Sequence, residues 1–175
     1  MGSALSTKGY SVWLVPSGDS RARLAKTISK LSKENRGPAF EPHITLIGKL
    51  MLEENEALRL TALLAKKIRP FGITLGRTDG TDFRFRCIFV RVFGTSELLV
   101  ANSKSREIFK VKKAPRYTPH LSLFYGRLPQ KTKEEIITGM RNSFSGTKLD
   151  IKRIRLMRTK GLPKHWRKIR DFRLR

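Results

Sequence analysis

Two similar lobes of strands and helices, packed as one unit around a shared cleft, are what this sequence predicts, on three observations. The pattern Pro-His-aliphatic-hydroxyl-Leu is written twice, as PHITL from Pro42 and PHLSL from Pro119, in a chain that holds 3 histidines. Each copy falls on the third element of the same order, strand–helix–strand–helix–strand, read in both halves. No low-complexity linker separates the halves, and 175 residues suffice for one ordinary domain or for two small lobes sharing a core. One domain spanning 1–175 is therefore expected, with residues 1–8 disordered or tag-derived: MGSALSTKGY lacks the apolar core of a secretory signal, and MGS matches a cloning remnant.

The elements follow in order. YSVWLVPS (10–17) is an apolar run closed by a proline, the pattern of a strand. DSRARLAKTISKLSKENRG reads as a helix, with Leu24, Ile28 and Leu31 on one face, Asp19 as the N-cap candidate and Gly37 as the stop. EPHITLIGKL is a strand, EENEALRLTALLAKKI a helix with Ala57, Leu60, Leu64 and Ile68 in line, and FGITLGRTDG a strand ending in an Asp79-Gly80 turn. The second half then gives FRCIFVRVF as strand, SELLVANSKSREIF as helix, PHLSLFYG as strand and TKEEIITGM as helix. Two closing strands fall around 148–158 and 166–174. A parallel, doubly wound sheet is the competing order. The glycine fingerprints G-x-G-x-x-G and G-x-x-x-x-G-K-[ST] are missing, which leaves dehydrogenase and nucleotide-triphosphatase readings without support.

Charge narrows the partners. Lys and Arg number 38 against 14 Asp and Glu, a net +24, and residues 148–175 alone carry twelve basic and two acidic residues. FKVKKAPRY, just ahead of the second histidine motif, is a further basic stretch. Such a field favours a phosphate-bearing partner, RNA above all, over a merely soluble lysine-rich surface. No apolar run approaches bilayer length, so no membrane partner is expected. A single cysteine, Cys87, excludes an internal disulfide and a cysteine-built zinc cage, and it reads as a buried small residue in a strand. An intracellular setting, cytoplasmic or nuclear, is expected, with the chain a monomer.

The motifs carry the chemistry. Residues two apart in a strand share a face, so His43 projects with Thr45 and His120 with Ser122, while Ile44, Leu46, Leu121 and Leu123 anchor the opposite face. Either motif alone reads as a hydrogen-bonded strand histidine; two copies at equivalent places read as one site. A neutral imidazole can take a proton from a nucleophile and an imidazolium can give one to a leaving oxygen, each step worth roughly 10²–10⁴-fold. The Thr45 and Ser122 hydroxyls can donate to the non-bridging oxygens of a phosphate. Two histidines with hydroxyls in place of carboxylates make a poor zinc set, so no metal or other cofactor is expected, and His165, in LPKHWRK, reads as a surface or turn residue.

PHITL and PHLSL resemble the paired H-x-[T/S] motif of the two-histidine (2H) phosphoesterase superfamily. YSVWLVP, PAFEPHITL, FRCIFV, RYTPHLSLFYG and the late Trp166 are similar, in the same order along nearly the whole chain, to the cyclic phosphodiesterase family of plants and fungi. That resemblance implies a bilobal α+β fold in which two antiparallel sheets form a central cleft, with helices outside. It implies metal-independent hydrolysis of a 2',3'-cyclic phosphate to a phosphomonoester, the 2'-phosphate. The implied substrates are cyclic nucleotides, ADP-ribose 1'',2''-cyclic phosphate of tRNA-splicing metabolism, or RNA 3' ends. His43 and His120 become the acid–base pair, with His120 activating water and His43 protonating the leaving oxygen; Thr45 and Ser122 become phosphate ligands.

Tyr125 sits five residues past His120, on the wrong face of a regular strand; a bend there would bring it to the cleft rim, and edge packing is the alternative. Trp13 and Phe85 are candidates for stacking on a base, with core packing as the alternative. A charge of +24 departs from the family's small-nucleotide members and turns the expectation toward an RNA end or a 2'–5'-linked oligonucleotide. Two other functions stay open: cleavage or formation of 2'–5' linkages in RNA, and RNA binding without catalysis.

Overall fold

The computed structural model describes residues 9–113 and 115–175; the expectation for residues 1–8 lies outside them. In chain order the elements are β1 (Tyr10–Pro16), α1 (Asp19–Glu34), β2 (Ile44–Leu50), α2 (Glu54–Lys67), β3 (Phe71–Gly80), β4 (Ile88–Val92), α3 (Ser96–Ile108), β5 (His120–Phe124), α4 (Gln130–Met140), β6 (Lys148–Arg158) and β7 (Arg167–Arg173). Single 3₁₀ turns occupy Arg84–Arg86 and Pro163–His165. The expected α+β class is what the chain adopts. Its strands are antiparallel throughout, in the order β1-β2-β5-β4-β3-β6-β7, with a further β1–β6 pairing. The two expected sheets are thus continuous: β1, β2, β6 and β7 on one side, β3, β4 and β5 on the other.

The register shows how the halves are related. His43 and His120 are 77 residues apart. The same offset carries Trp13 onto Val90 and Thr78 onto Arg155, and the pairs Trp13↔Arg155 and Thr78↔Val90 both exist. It also carries β3 onto β6, whose pairing Phe71↔Ile151 through Thr74↔Lys148 is its own image under that exchange. Each half therefore gives its last strand to the other half's sheet: β3 lies beside β4, and β6 beside β1. The helices cross over too, α1 against β5 and α3 against β2. No half can bury its apolar surface alone, and one core runs through both, from Leu14, Leu24 and Ile28 to Leu98, Leu121 and Ile154.

The motif strands meet at one point. β2 and β5 share a single ladder pair, Ile44↔Leu121, the residues directly after the two histidines. That pair is also its own image, so the two histidines flank a local twofold axis.

Three local expectations change. Gly18 is the N-cap of α1, without a side-chain cap bond, and Asp19 opens the first turn, where its carboxylate favours the helix dipole instead. Asp79-Gly80 remains paired within β3, opposite Phe89 and Ile88; the chain reverses at 81–87, where Thr81 Oγ1 donates to the Arg86 carbonyl and Thr81 N to that of Cys87. β4 consequently begins at Ile88, and Cys87, 2% exposed, lies just ahead of it. The helix expected to stop at Gly37 already ends at Glu34, and Gly37 serves a different purpose. A β-carbon there would lie 2.3 Å from Phe124 Cε2 and 3.0 Å from the Tyr125 carbonyl oxygen, so only glycine lets the 35–38 turn lie on the end of β5. Gly37→Ala should lower stability by about 1–3 kcal/mol through overpacking, read as a drop in the urea midpoint at unchanged m-value; a midpoint equal to wild type would refute this packing.

Candidate active site

One cavity of about 430 Å³ opens between the two halves of the sheet. All seven residues singled out from the sequence line it: His43, Thr45, His120, Ser122, Tyr125, Trp13 and Phe85.

The two imidazoles are held alike. His43 Nδ1 lies 2.7 Å from the Glu41 carbonyl oxygen, and His120 Nδ1 lies 2.9 Å from that of Thr118, each two residues back along the chain. A carbonyl only accepts, so Nδ1 carries the proton in both rings and Nε2 is the nitrogen left for the cavity. The proline between each carbonyl and its histidine, Pro42 and Pro119, disfavours helical geometry in the residue before it and keeps the approach extended.

Their surroundings differ. His43 is 5% exposed. Trp13 stacks on its ring at 3.5 Å between centroids and 8° between planes, and the Tyr125 hydroxyl donates to Nε2 across 3.3 Å. Phe40 stacks on Tyr125 at 3.8 Å, and Trp166 packs against Trp13, Phe85 and Tyr125 at 5.8–5.9 Å. Burial pushes the His43 imidazole down to about 4, against the pull of the Glu41 carbonyl. His120 is half-buried, with the edge of Phe89 at 5.5 Å. Burial again holds its pKa below the ordinary value, the Thr118 carbonyl opposing and the charge of Arg86 adding to the depression.

The hydroxyls differ as well. Thr45 makes no side-chain hydrogen bond among the described residues, and its backbone carbonyl accepts from Tyr117 Oη at 3.1 Å. Ser122 is buried, and its hydroxyl donates to the Phe85 carbonyl at 2.9 Å, holding the 84–86 turn over the cavity. Tyr125 reaches the site because β5 ends at Phe124: past the strand, its side chain turns back to His43, so the bend anticipated as one alternative is present. Trp13 and Phe85 combine the two roles weighed for them, being packed among aromatics and facing the cavity.

Sequence reasoning missed the support behind His43. Arg155, 5% exposed, reaches Asp171 through Nε (2.5 Å) and Nη2 (3.0 Å) and Glu41 through Nη1 (2.5 Å). Burial raises the Glu41 pKa, but the charge of Arg155 and hydrogen bonds from Arg155 and Arg21 outweigh it and hold the carboxyl low. The network ties the residue whose carbonyl orients His43 to β6 and β7. Arg155 and Asp171 are cross-strand partners in the β6–β7 hairpin, but only the exchange that sets β6 beside β1 brings them to Glu41, and no spacing in the chain announces that. Trp166 was visible only as a late aromatic. His165 is exposed, in a 3₁₀ turn, as expected. Among the described residues no three His, Cys, Asp or Glu side chains cluster as metal ligands do.

A sheet folded on a local twofold axis, with one His-x-hydroxyl strand from each half facing a common cavity, is a two-histidine phosphoesterase arrangement. The chain belongs to the 2'-5' RNA ligase superfamily, whose family model matches residues 8–162. It is 29% identical over 153 residues to the cyclic phosphodiesterase of Arabidopsis thaliana, covering 86% of this chain and 84% of that one. The fold is shared with E. coli LigT crystallised with 3'-AMP (TM-score 0.64, 15% identity, covering 95% of this chain and 98% of that one). It is shared also with TT0787 of Thermus thermophilus (TM-score 0.61, 18% identity, 95% and 98%). The resemblance drawn from the paired motifs, to the two-histidine superfamily and within it to the cyclic phosphodiesterases, is borne out.

The depressed pKa of His43 has a consequence for stability. The unfolded chain binds this proton below about 6.5 and the folded one only near 4, so stability rises with pH across that window and is lost as pH falls through it. Carboxylates such as Glu41 and Asp171 act in the same direction, so the difference between wild type and His43→Gln isolates the histidine. The urea-derived stability of wild type should fall more steeply between pH 6.5 and 4 than that of His43→Gln, by up to about 3 kcal/mol. Parallel curves would refute the burial argument.

Proposed function

We propose that this chain hydrolyses 2',3'-cyclic phosphates, on a nucleotide or at an RNA 3' end, to a 2'-phosphomonoester, without a metal. The observation that carries the reading is the matched presentation of two Nε2 atoms to one cavity, each set by a carbonyl on Nδ1. The assignment of roles rests on the asymmetry of the walls. The aromatic side, Trp13, Phe85, Tyr125 and Trp166, suits a base and ribose and stands with His43. The His120 side is the more open one and lies nearer Arg86, which suits phosphate and water.

In the proposed step His120 Nε2 takes a proton from water as the water oxygen bonds to phosphorus. The bond from phosphorus to the ribose 3' oxygen breaks, and His43, protonated at Nε2 once the Tyr125 hydroxyl has turned from donating to it, supplies the proton that oxygen needs. Thr45 donates to a non-bridging oxygen, and Ser122 does so by exchanging its Phe85 acceptor for the phosphate. Both imidazoles favour the neutral form in the free protein; the bound phosphate anion opposes that bias and supports a protonated His43.

³¹P NMR of 2',3'-cyclic AMP with the protein in EDTA tests the reading. Conversion to a single phosphomonoester is expected, with His43→Ala and His120→Ala each slower by roughly 10²–10⁴-fold. No conversion of the nucleotide or of an RNA cyclic end refutes it; turnover of linear 2'–5' dinucleotides alone would put the 2'–5' linkage reading in its place. Because both free-enzyme pKa values lie below 6.5, kcat/KM should peak on the acid side of pH 6.5 and fall as the last imidazolium is lost above it. The kcat profile should lie at higher pH, since bound phosphate raises the same groups. A kcat/KM maximum above pH 7 contradicts this.

A further inference from the structure

A second cavity, of about 210 Å³, lies where the end of α4 meets residues 77–79 of β3, lined by Arg77, Thr78, Asp79, Arg91, Ile137 and Arg141. Three arginines around one small cavity form an anion-binding set, and they are only partly neutralised from within. Arg91 Nε donates to Asp79 Oδ2 at 2.7 Å, with a second contact from Nη2 to the same oxygen. Arg77 and Arg141 make no side-chain hydrogen bond or ion pair among the described residues.

The cavity is connected to the catalytic one by strand register. Arg91 is the cross-strand partner of His120, and Phe89 that of Ser122. Directly paired residues project to the same face, so Arg91 and Phe89 lie on the cleft face beside the second histidine motif. Asp79 is paired in turn with Phe89, which continues that face onto β3. Arg86 lies over the Phe89 ring at 5.5 Å, and its Nε is buried without a partner. Arg86, Arg91, Arg77 and Arg141 thus form a cationic track from His120 across β4 to β3 and the end of α4, with β3 two strand spacings or roughly 10 Å from β5.

Resting on the hydrolase reading above, we infer that this track binds the phosphodiester backbone of an RNA strand whose cyclic-phosphate 3' end occupies the catalytic cavity. A mononucleotide has no phosphate to place there; an oligonucleotide does. The strand's upstream phosphates contact the arginines without any base being read, so the preference is for length over sequence.

The test compares kcat/KM for 2',3'-cyclic AMP with that for a triadenylate ending in a 2',3'-cyclic phosphate, in wild type and in Arg77→Ala/Arg141→Ala. Both positions are exposed, so the variant should fold, and equal melting temperature checks this. A control, Arg59→Ala/Lys66→Ala on α2, removes the same charge elsewhere. Wild type and control should prefer the trinucleotide at least about tenfold at about 50 mM salt, and two phosphate contacts predict that this preference shrinks about sevenfold by about 200 mM. The track variant should bring the ratio of the two substrates close to one. A wild-type ratio near one, or a ratio that survives in the track variant, overturns the inference while leaving the hydrolase reading in place. If neither substrate turns over, the hydrolase reading fails, and fluorescence anisotropy of labelled trinucleotide decides the track by itself. Weaker binding by the track variant than by the control supports it, and equal binding refutes it.

Discussion

A single backbone pair, Ile44 with Leu121, is the constraint on which the rest depends. It is the only ladder contact between the two motif strands among the described residues, and it lies one residue past each histidine. Because the pair sits on the local twofold axis, whatever holds one imidazole on its side holds the other in the mirrored place. The exchange of last strands secures it: with β3 in one sheet half and β6 in the other, the halves cannot part without opening β1–β6, β3–β4 and the core together. A cleft between two lobes usually moves, since interfaces within a chain resemble transient ones; here the shared core resists that motion and preorganises the site.

On that symmetric frame the chain builds an asymmetric site, and the asymmetry is physical before it is chemical. One imidazole is enclosed by Trp13, Tyr125 and a buried Arg155 network; the other faces a more open, cationic wall. Burial pushes the His43 imidazole down to about 4 and holds that of His120 below its ordinary value. The two imidazoles thus stand in different surroundings, and the proposed acid, His43, is the one whose charged form burial disfavours, so that role needs the bound phosphate to hold its proton. Closing the aromatic wall over His43 costs the protein that imidazolium in the free state.

Much of the fold was legible because its signals are local. An apolar run closed by Pro marked the first strand, 3.6-residue spacing marked α1 and α2, and the duplicated motif marked the two histidine strands. All seven candidate residues do line one cavity; alternation accounts for the histidine–hydroxyl pairs, whereas Phe85 arrives on a turn and Tyr125 past a strand end. Tyr125 was ambiguous for the same reason, as alternation does not say where a strand ends. Residues 85–87 of the 81–87 reversal were read as the start of the strand FRCIFVRVF; the turn is held by Thr81 and by Ser122, the latter far along the chain.

The sequence by itself determined the element order, the two His-x-hydroxyl faces and the excess of positive charge, all properties of residue type and short-range spacing. Tertiary structure alone decided that the halves trade their last strands, that Glu41 joins Arg155 and Asp171 behind His43, and that Arg77, Arg91 and Arg141 meet around one cavity with Arg86 over Phe89 nearby. These depend on pairing between residues far apart in the chain, and the energy that selects such pairing comes from burying one common core, which no local window of the chain contains.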